Sequence, residues 1–495
     1  MQNSKIFGKT MEQHENLKNK AAKGLLWGGF FSISNQFLGL VFSIIIARIL
    51  QPSDFGLVAM LSIFTSLATI FQESGFVFVL TNRTNVTREQ YSSVFWFNII
   101  ISFSIYLLFF LLAPAIASFY NEPLLTDLAR VVFLGFFISS FGIVQNAYLY
   151  KNLKVFEKGI AGLISLILSG IIGYLLAKNG FGYWGVAFHG LFNILFSTII
   201  VWLYSPFRPM FKIDRGFLYS SIPDCFRFAF PNLFSIFSEN FYSVILGKAF
   251  SPADVGLYNQ ATKLNNAGAS SILGMLRNVS QPVLVKVRDN SGNVLSAFRK
   301  LFRLSAFLSF PVLLCLSMVS DELIVTVFTE KWQNTAPILK LLCWGGIMLN
   351  LSTLFSYFAM SQNFTKIYLW MGIFASVLKI FLLLLASIGS NVIWIAIGSV
   401  ATDAICLMVY YFVVNHKVPY PIKYLIADLA PIMIASIVPY FIVSYATGNI
   451  TNLPTLLIVR VLSYLLLFIV ICRLFNFDIL NDAKSYALKI FKRLK

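Results

Sequence analysis

The sequence predicts an all-α, polytopic membrane protein of about 14 transmembrane helices, arranged as two parallel-repeat six-helix lobes followed by two C-terminal helices. Three observations carry that prediction. The 495 residues are 58% hydrophobic and only 12% charged, with a mean hydropathy of +0.77, far outside the range of a water-soluble domain. The apolar residues gather into runs of roughly 20, the length a helix rising 1.5 Å per residue needs to cross hydrocarbon. Finally, the phrase IARILQPSDFGLVAM, from Ile46, returns two hundred positions later as LGKAFSPADVGLYNQ, from Leu246.

Taken in order, the apolar runs cover 24–47, 56–80, 93–114, 125–147, 159–177, 183–204, 224–248, 256–282, 301–320, 335–358, 366–387, 391–413, 424–444 and 454–472. The first is longer than the apolar core of a signal peptide and follows a polar stretch, so it reads as a retained helix. With the N-terminus inside, 27 of the 38 Lys and Arg fall on inner segments and four, Arg48, Lys178, Lys248 and Lys331, on outer loops. That bias places both termini in the cytoplasm. The expected organisation is a cytoplasmic N-terminal tail (1–23), an N-lobe (24–204), a cytoplasmic linker (205–223), a C-lobe (224–413), helices 13 and 14 (414–472) and a basic cytoplasmic tail (473–495). The tail, with its sequence LNDAKSYALKIFKRLK, reads as an amphipathic helix on the anionic inner leaflet.

Several function classes are excluded. The formal charge of +18 would suggest nucleic acid in a soluble chain, but here the basic residues cluster at particular loops, which speaks for membrane orientation. Cys225, Cys315, Cys343, Cys406 and Cys472 are scattered singly, and His14, His189 and His416 lie on separate segments. Neither a disulfide framework nor a metal site follows, and no cofactor is expected. No loop is long enough for a soluble catalytic domain, and the few acids form no pair suited to general acid–base chemistry, so an enzyme is not expected.

The repeated phrase aligns Arg48 with Lys248, Pro52 with Pro252, Asp54 with Asp254 and Gly56 with Gly256. A helix ends, a cation complements its C-terminal dipole, Pro forbids continuation, and Asp caps the helix that follows. A second echo pairs the segment from Ile116 with that from Ile324, bringing Arg130 near Lys340. Two echoes in the same order imply duplicated halves. Six runs separate the copies, an even number, so both enter the membrane from the same side and the repeat is parallel.

ARILQPSDFGLVAM, KNGFGYWGVAFHG between runs five and six, GKAFSPADVGLYNQATKL and SQPVLVKVRDN together resemble the polysaccharide transporter branch of the multidrug/oligosaccharidyl-lipid/polysaccharide exporter superfamily, in particular its colanic-acid-type exporters. The resemblance covers the chain from Gly24 to about Cys472. It implies a transporter in the bacterial cytoplasmic (inner) membrane that flips an undecaprenyl-pyrophosphate-linked sugar unit from the inner to the outer leaflet by alternating access. Membrane lipids, a polysaccharide polymerase and glycosyltransferases would be its partners.

Such a cargo, a sugar head on a pyrophosphate, requires a wet, cationic cavity. Seven cations lie within apolar runs: Arg130, Arg227, Lys263, Arg277, Lys340, Lys379 and Arg460. A charge at mid-helix costs roughly 2.5–3.5 kcal/mol on insertion scales, so it faces the bundle interior, a partner or water. Arg277 and Lys263, fourteen positions apart on helix eight and within about 40° of one face, are the leading pyrophosphate contacts. Arg227 either joins them or snorkels, and Lys379 either binds cargo or pairs with Asp403 on the adjacent helix. Glu239, Glu73 and Asp403 are candidate coupling acids, or simply orient a neighbouring cation. Arg130 and Lys340, near outer helix ends, read as snorkelling residues, and Arg460 as a packing or lipid contact.

Two rival readings remain at this level. One is a cation-coupled multidrug exporter of the same fold, whose cavity would favour carboxylates. The other, of a different class, is a membrane enzyme of polysaccharide polymerisation. The excess of intramembrane bases over Glu73, Glu239 and Asp403 points to an anionic cargo and so to the flippase.

Overall fold

The computed structural model describes residues 2–73, 76–83, 85–287, 291–417 and 420–475. Side chains are described from residue 24 onward except in short stretches, chiefly 70–76, 226–235 and 277–279. Among the described residues the chain is helical with no strand. It divides into two compact units, Met1–Gly256 and Leu257–Lys495. The expected lobes were separated at 205–223, whereas the compact units divide at Gly256.

The first unit contains α1 (Gln2–Ile49), α2 (Pro52–Met60), α3 (Ser62–Glu73), α4 (Phe76–Asn82), α5 (Arg88–Tyr120), α6 (Leu125–Lys151), α7 (Val155–Lys178), α8 (Tyr183–Tyr204) and α9 (Arg215–Ala249). α10 (Pro252–Lys286) starts at its end and runs on into the second unit, which adds α11 (Ser291–Met318), α12 (Ser320–Leu323), α13 (Thr335–Ser361), α14 (Thr365–Ala386), α15 (Ile393–Lys417), α16 (Ile422–Ala446) and α17 (Leu453–Leu474). Twelve helices are long and apolar enough to cross a membrane, among the described residues. The seventh and eighth expected spans fall within α9 and α10, each 35 residues long and less apolar than the twelve.

Close helix packing in the first unit depends on small residues, as expected where lipid offers no hydrophobic drive for association. α7 presents Gly159 and Gly170 to α1, where the rings of Phe31 and Phe42 fill the space a Cβ would need. On α7's contact with α8, Gly173 and Gly185 let backbone approach backbone, and Asn193 donates to the Ser169 hydroxyl at 3.3 Å. The non-helical segment between α8 and α9 is strapped to the start of α5. Arg88 Nε donates to the Arg208 carbonyl (3.1 Å), Trp96 Nε1 to the Met210 carbonyl (2.9 Å), and the Met210 and Asp214 amides donate to the hydroxyls of Ser92 and Ser93.

The second expected run, 56–80, is interrupted at Leu61, between α2 and α3. The Met60 carbonyl at the break accepts a hydrogen bond from the Tyr120 hydroxyl (3.3 Å), so a distant aromatic serves a group the helix leaves over. Lys151 does the same at the end of α4, donating to the carbonyls of Leu80 (3.1 Å) and Arg83 (2.6 Å).

The duplicated hairpins use the same chemistry twice. Asp54 Oδ2 accepts from the Gln51 amide at 2.9 Å, and Asp254 Oδ2 accepts from the Ser251 hydroxyl at 2.7 Å and the Ser251 amide at 3.3 Å. The acid therefore reaches back to the N-cap residue, the reciprocal half of a capping box, rather than capping amides ahead of it. Within the first unit, α2 and the first turn of α10 cross glycine on glycine. A Cβ on Gly56 would overlap the Pro252 carbonyl, and one on Gly256 would overlap the Pro52 carbonyl. The two copies of the phrase thus meet each other reciprocally, Gly56 against Gly256.

Candidate functional site

The structure sorts the intramembrane cations by what neutralises them. Arg130 forms an ion pair with Asp127 (3.3 Å) and lies 4.7 Å from the Phe110 ring centroid. Lys340, its counterpart in the repeat, pairs with Asp321. Arg460 donates to Glu322 Oε1 at 2.5 Å and to the Thr447 hydroxyl at 3.0 Å, with Glu322 only 7% exposed at its side chain. Each was expected to snorkel or pack; Arg130 and Lys340 instead hold exposed acids, while Arg460 holds a carboxylate that its buried surroundings would otherwise leave unsatisfied.

Lys379 on α14 and Asp403 on α15 are brought within Coulombic range without closing to an ion pair. Asp403 lies against α13, where its Oδ2 stands 3.0 Å from the position of a Cβ on Gly345.

The three remaining cations, Arg227, Lys263 and Arg277, all lie on α9 and α10. Lys263 projects from α10 as an exposed side chain. Glu239 on α9 is also exposed. The side chains of Arg227, Arg277 and Glu73 lie outside the described residues. Arg130, Lys340, Arg460 and Lys379 each have an acid near them, and Arg227, Lys263 and Arg277 share one consecutive pair of helices.

Sequence reasoning missed a densely bonded charge cluster in the second unit. Asp428 on α16, 3% exposed, accepts from Arg299 Nε (2.7 Å) and Nη2 (2.8 Å) and from the Tyr420 hydroxyl (2.9 Å), while Arg303 Nε stands 3.5 Å away. Arg299 also stacks on Tyr424, 4.4 Å from the ring centroid. Tyr420, in the segment between α15 and α16, has its phenol pushed well above the usual tyrosine value by burial, then by the Asp428 charge and hydrogen bond. The available signal was the single acid in run thirteen, set against two arginines four apart. Among the described residues no group of three His, Cys, Asp or Glu side chains is placed to hold a metal ion, and the five cysteines are free thiols.

These features define a multi-pass, all-helical membrane protein with a duplicated hairpin and cations concentrated on α9 and α10. The chain belongs to the polysaccharide biosynthesis protein family, whose model matches residues 45–337. It is 23% identical over 441 residues to the lipopolysaccharide biosynthesis protein WzxC of Escherichia coli (strain K12), covering 87% of this chain and 88% of that one. It is 24% identical over 320 residues to the succinoglycan biosynthesis transport protein ExoT of Rhizobium meliloti (strain 1021), covering 63% of this chain and 64% of that one. Its fold is similar to that of the lipid II flippase MurJ in an inward closed conformation, with a TM-score of 0.75 at 16% identity over 92% of this chain and all of that one.

Proposed function

We propose that the chain is a flippase that carries an undecaprenyl-pyrophosphate-linked polysaccharide repeat unit from the inner to the outer leaflet of the bacterial cytoplasmic membrane, with both termini in the cytoplasm. The observation that carries this reading is membership of the polysaccharide biosynthesis family by a chain whose described mass is almost entirely membrane-spanning helix. Such a chain has little outside the membrane with which to build sugar polymers, so moving them is the role left to it. Similarity to proteins named as a transporter of succinoglycan biosynthesis and as a lipid II flippase supports the same assignment.

The charge distribution supports an anionic cargo. Arg277 and Lys263 on α10 and Arg227 on α9 are assigned to the pyrophosphate, the guanidinium groups through paired N–H donors and the ammonium as a mobile point charge. Glu239 and Glu73 are assigned to coupling or to orienting a neighbouring cation, and Lys379 with Asp403 to an internal pair. The polymerase and the glycosyltransferases that make the unit would act before and after it, and the chain itself performs no covalent step.

The test is the fate of the lipid-linked oligosaccharide in cells lacking this protein. The expected result is full-length unit accumulating on the inner leaflet, unreactive to reagents confined to the outer face. A unit that is never completed would make the protein a biosynthetic partner, and a unit reaching the outer face at the normal rate would make it an exporter of something else.

A further inference from the structure

The segment between α8 and α9 is polar at its ends and apolar in its middle, where Phe211 is 90% exposed and Ile213 52%. A loop in water rarely presents such side chains outward. Its bonds to α5 fix how it runs. Arg208 is tied through its carbonyl to Arg88 in the first turn of α5, Met210 bonds to Ser92 and Trp96, and Lys212 comes back to Glu89 at 3.1 Å. The segment is therefore a finger laid along α5, with Phe211 at its tip. The Phe211 ring stacks on Trp96, centroids 4.8 Å apart and planes within 24° of parallel.

The depth of that tip follows from α5 itself. Its 33 residues extend about 50 Å against a hydrocarbon core of about 30 Å, so a centred helix has about 10 Å beyond the core at each end. Trp96, eight positions after Arg88, lies about 12 Å in, at the hydrocarbon boundary that Trp favours. Arg88 and Glu89, with Arg208 and Lys212 against them, lie at headgroup level. Trp96 also begins a stripe of exposed Ile100, Phe103, Leu107 and Leu111, spaced three and four apart and wholly hydrocarbon, as a lipid-facing side is. Phe211 extends that side.

Charge completes the match. Arg208, Lys212 and Arg215 are exposed on the finger, whereas Glu89 is shared with Lys212 and Asp214 is taken up capping the Phe217 amide at 2.9 Å. Beyond the bonds they make to the protein, the Arg208 guanidinium and the Lys212 ammonium keep N–H groups that can meet phosphate.

We infer that this finger anchors the chain to an anionic lipid surface: Phe211 enters the leaflet at the foot of α5, and Arg208 and Lys212 hold phospholipid headgroup phosphates on its aqueous side. Apolar tip and cationic base are in the order in which a leaflet presents hydrocarbon and phosphate. The leaflet is the one at the N-terminal end of α5, which the distribution of basic residues assigns to the cytoplasm. The anchor involves none of the residues assigned to cargo and stands whether or not the flippase reading does.

The experiment replaces Phe211 by photoreactive benzoylphenylalanine in the full-length protein, reconstituted in vesicles of phosphatidylcholine and phosphatidylglycerol, and identifies the adducts by mass spectrometry. Lipid adducts are expected at a yield within about twofold of that from the same probe replacing Phe103, with phosphatidylglycerol captured about threefold above its share of the vesicle. Arg208→Gln with Lys212→Gln should return the captured lipid to the vesicle composition. Should that variant not fold, about 0.5 M salt should do the same to the unaltered cations by screening them. Adducts confined to the protein overturn the inference in favour of a finger packed on its own chain. Lipid adducts that match the vesicle composition at low salt also overturn it, in favour of a purely apolar contact.

Discussion

Arg460, Arg130 and Lys340 look alike in the sequence as isolated cations in apolar runs, yet each pairs with an acid far less conspicuous than itself. Such pairs make truncation unequal. Replacing Asp428 by Ala would leave Arg299 and Arg303 facing each other in a poorly hydrated site and should lower stability by about 3 kcal/mol, measured as loss of folded protein in a denaturant or thermal series. Tyr420→Phe removes only the hydrogen bond to Asp428 and should cost about 2 kcal/mol in the same assay. Because the folded-state value of Tyr420 is raised, its contribution is fully present below the ordinary tyrosine value of about 10 and is lost as pH climbs above it. The phenylalanine variant should therefore lose stability less steeply than wild type on going to strongly alkaline pH. If Arg277 and Lys263 hold the cargo as proposed, Arg277→Ala with Lys263→Ala should leave membrane insertion intact and reduce outer-leaflet delivery of the lipid-linked unit by about tenfold, equivalent to about 1.4 kcal/mol. Arg130→Ala, which removes a partly exposed pair, should be nearly silent. Normal output from the double variant would take both residues out of the site.

Elements divide into those whose ends are written locally and those that are not. The sixth run, 183–204, corresponds to α8 (Tyr183–Tyr204), because it is bounded by Gly182, at φ +54°, on one side and by a segment with two prolines on the other. The second run reads as one helix but breaks at Leu61, where the Met60 carbonyl accepts from Tyr120, sixty positions away. Nothing in a local window announces that bond. The repeated hairpin lies between these cases. Its Pro and Asp are legible as helix punctuation, whereas the conserved spacing of Gly56 and Gly256 acquires a reason only from their mutual crossing. Gly56→Leu or Gly256→Leu should each force that crossing apart and cost about 1–3 kcal/mol of thermal stability, while the same change at exposed Gly190, which has open space around it, should not. Equal stability of the three variants would show that the crossing is not tightly packed in the membrane.

On the scale of the whole molecule, the charge asymmetry makes the strongest testable statement. Single-cysteine labels placed in the N-terminal tail and in the C-terminal tail should react with membrane-impermeant reagents only after the membrane is opened, whereas a label beside Lys178 or Lys331 should react in intact cells. Labelling of either tail from outside would reverse the assignment of leaflets, and with it the direction of transport. The fold itself, helix upon helix with Gly, Ala and Ser at the tight contacts, is what a chain this apolar must adopt, because a lipid-facing backbone can satisfy its own polar groups only within a helix or a closed barrel.

The sequence by itself determined the class of the protein, the position of most helices and the repeated hairpin, since hydropathy and helix punctuation are additive over residues and need no partner to be named. Only the tertiary structure decided which cations are already neutralised. Asp127 meets Arg130 three positions along its own helix, but what Asp321, Glu322 and Asp428 bind depends on which helices are neighbours, for Arg460 and Glu322 across 138 positions. Coulombic pairing falls off with distance in space, and a linear chain does not state that distance.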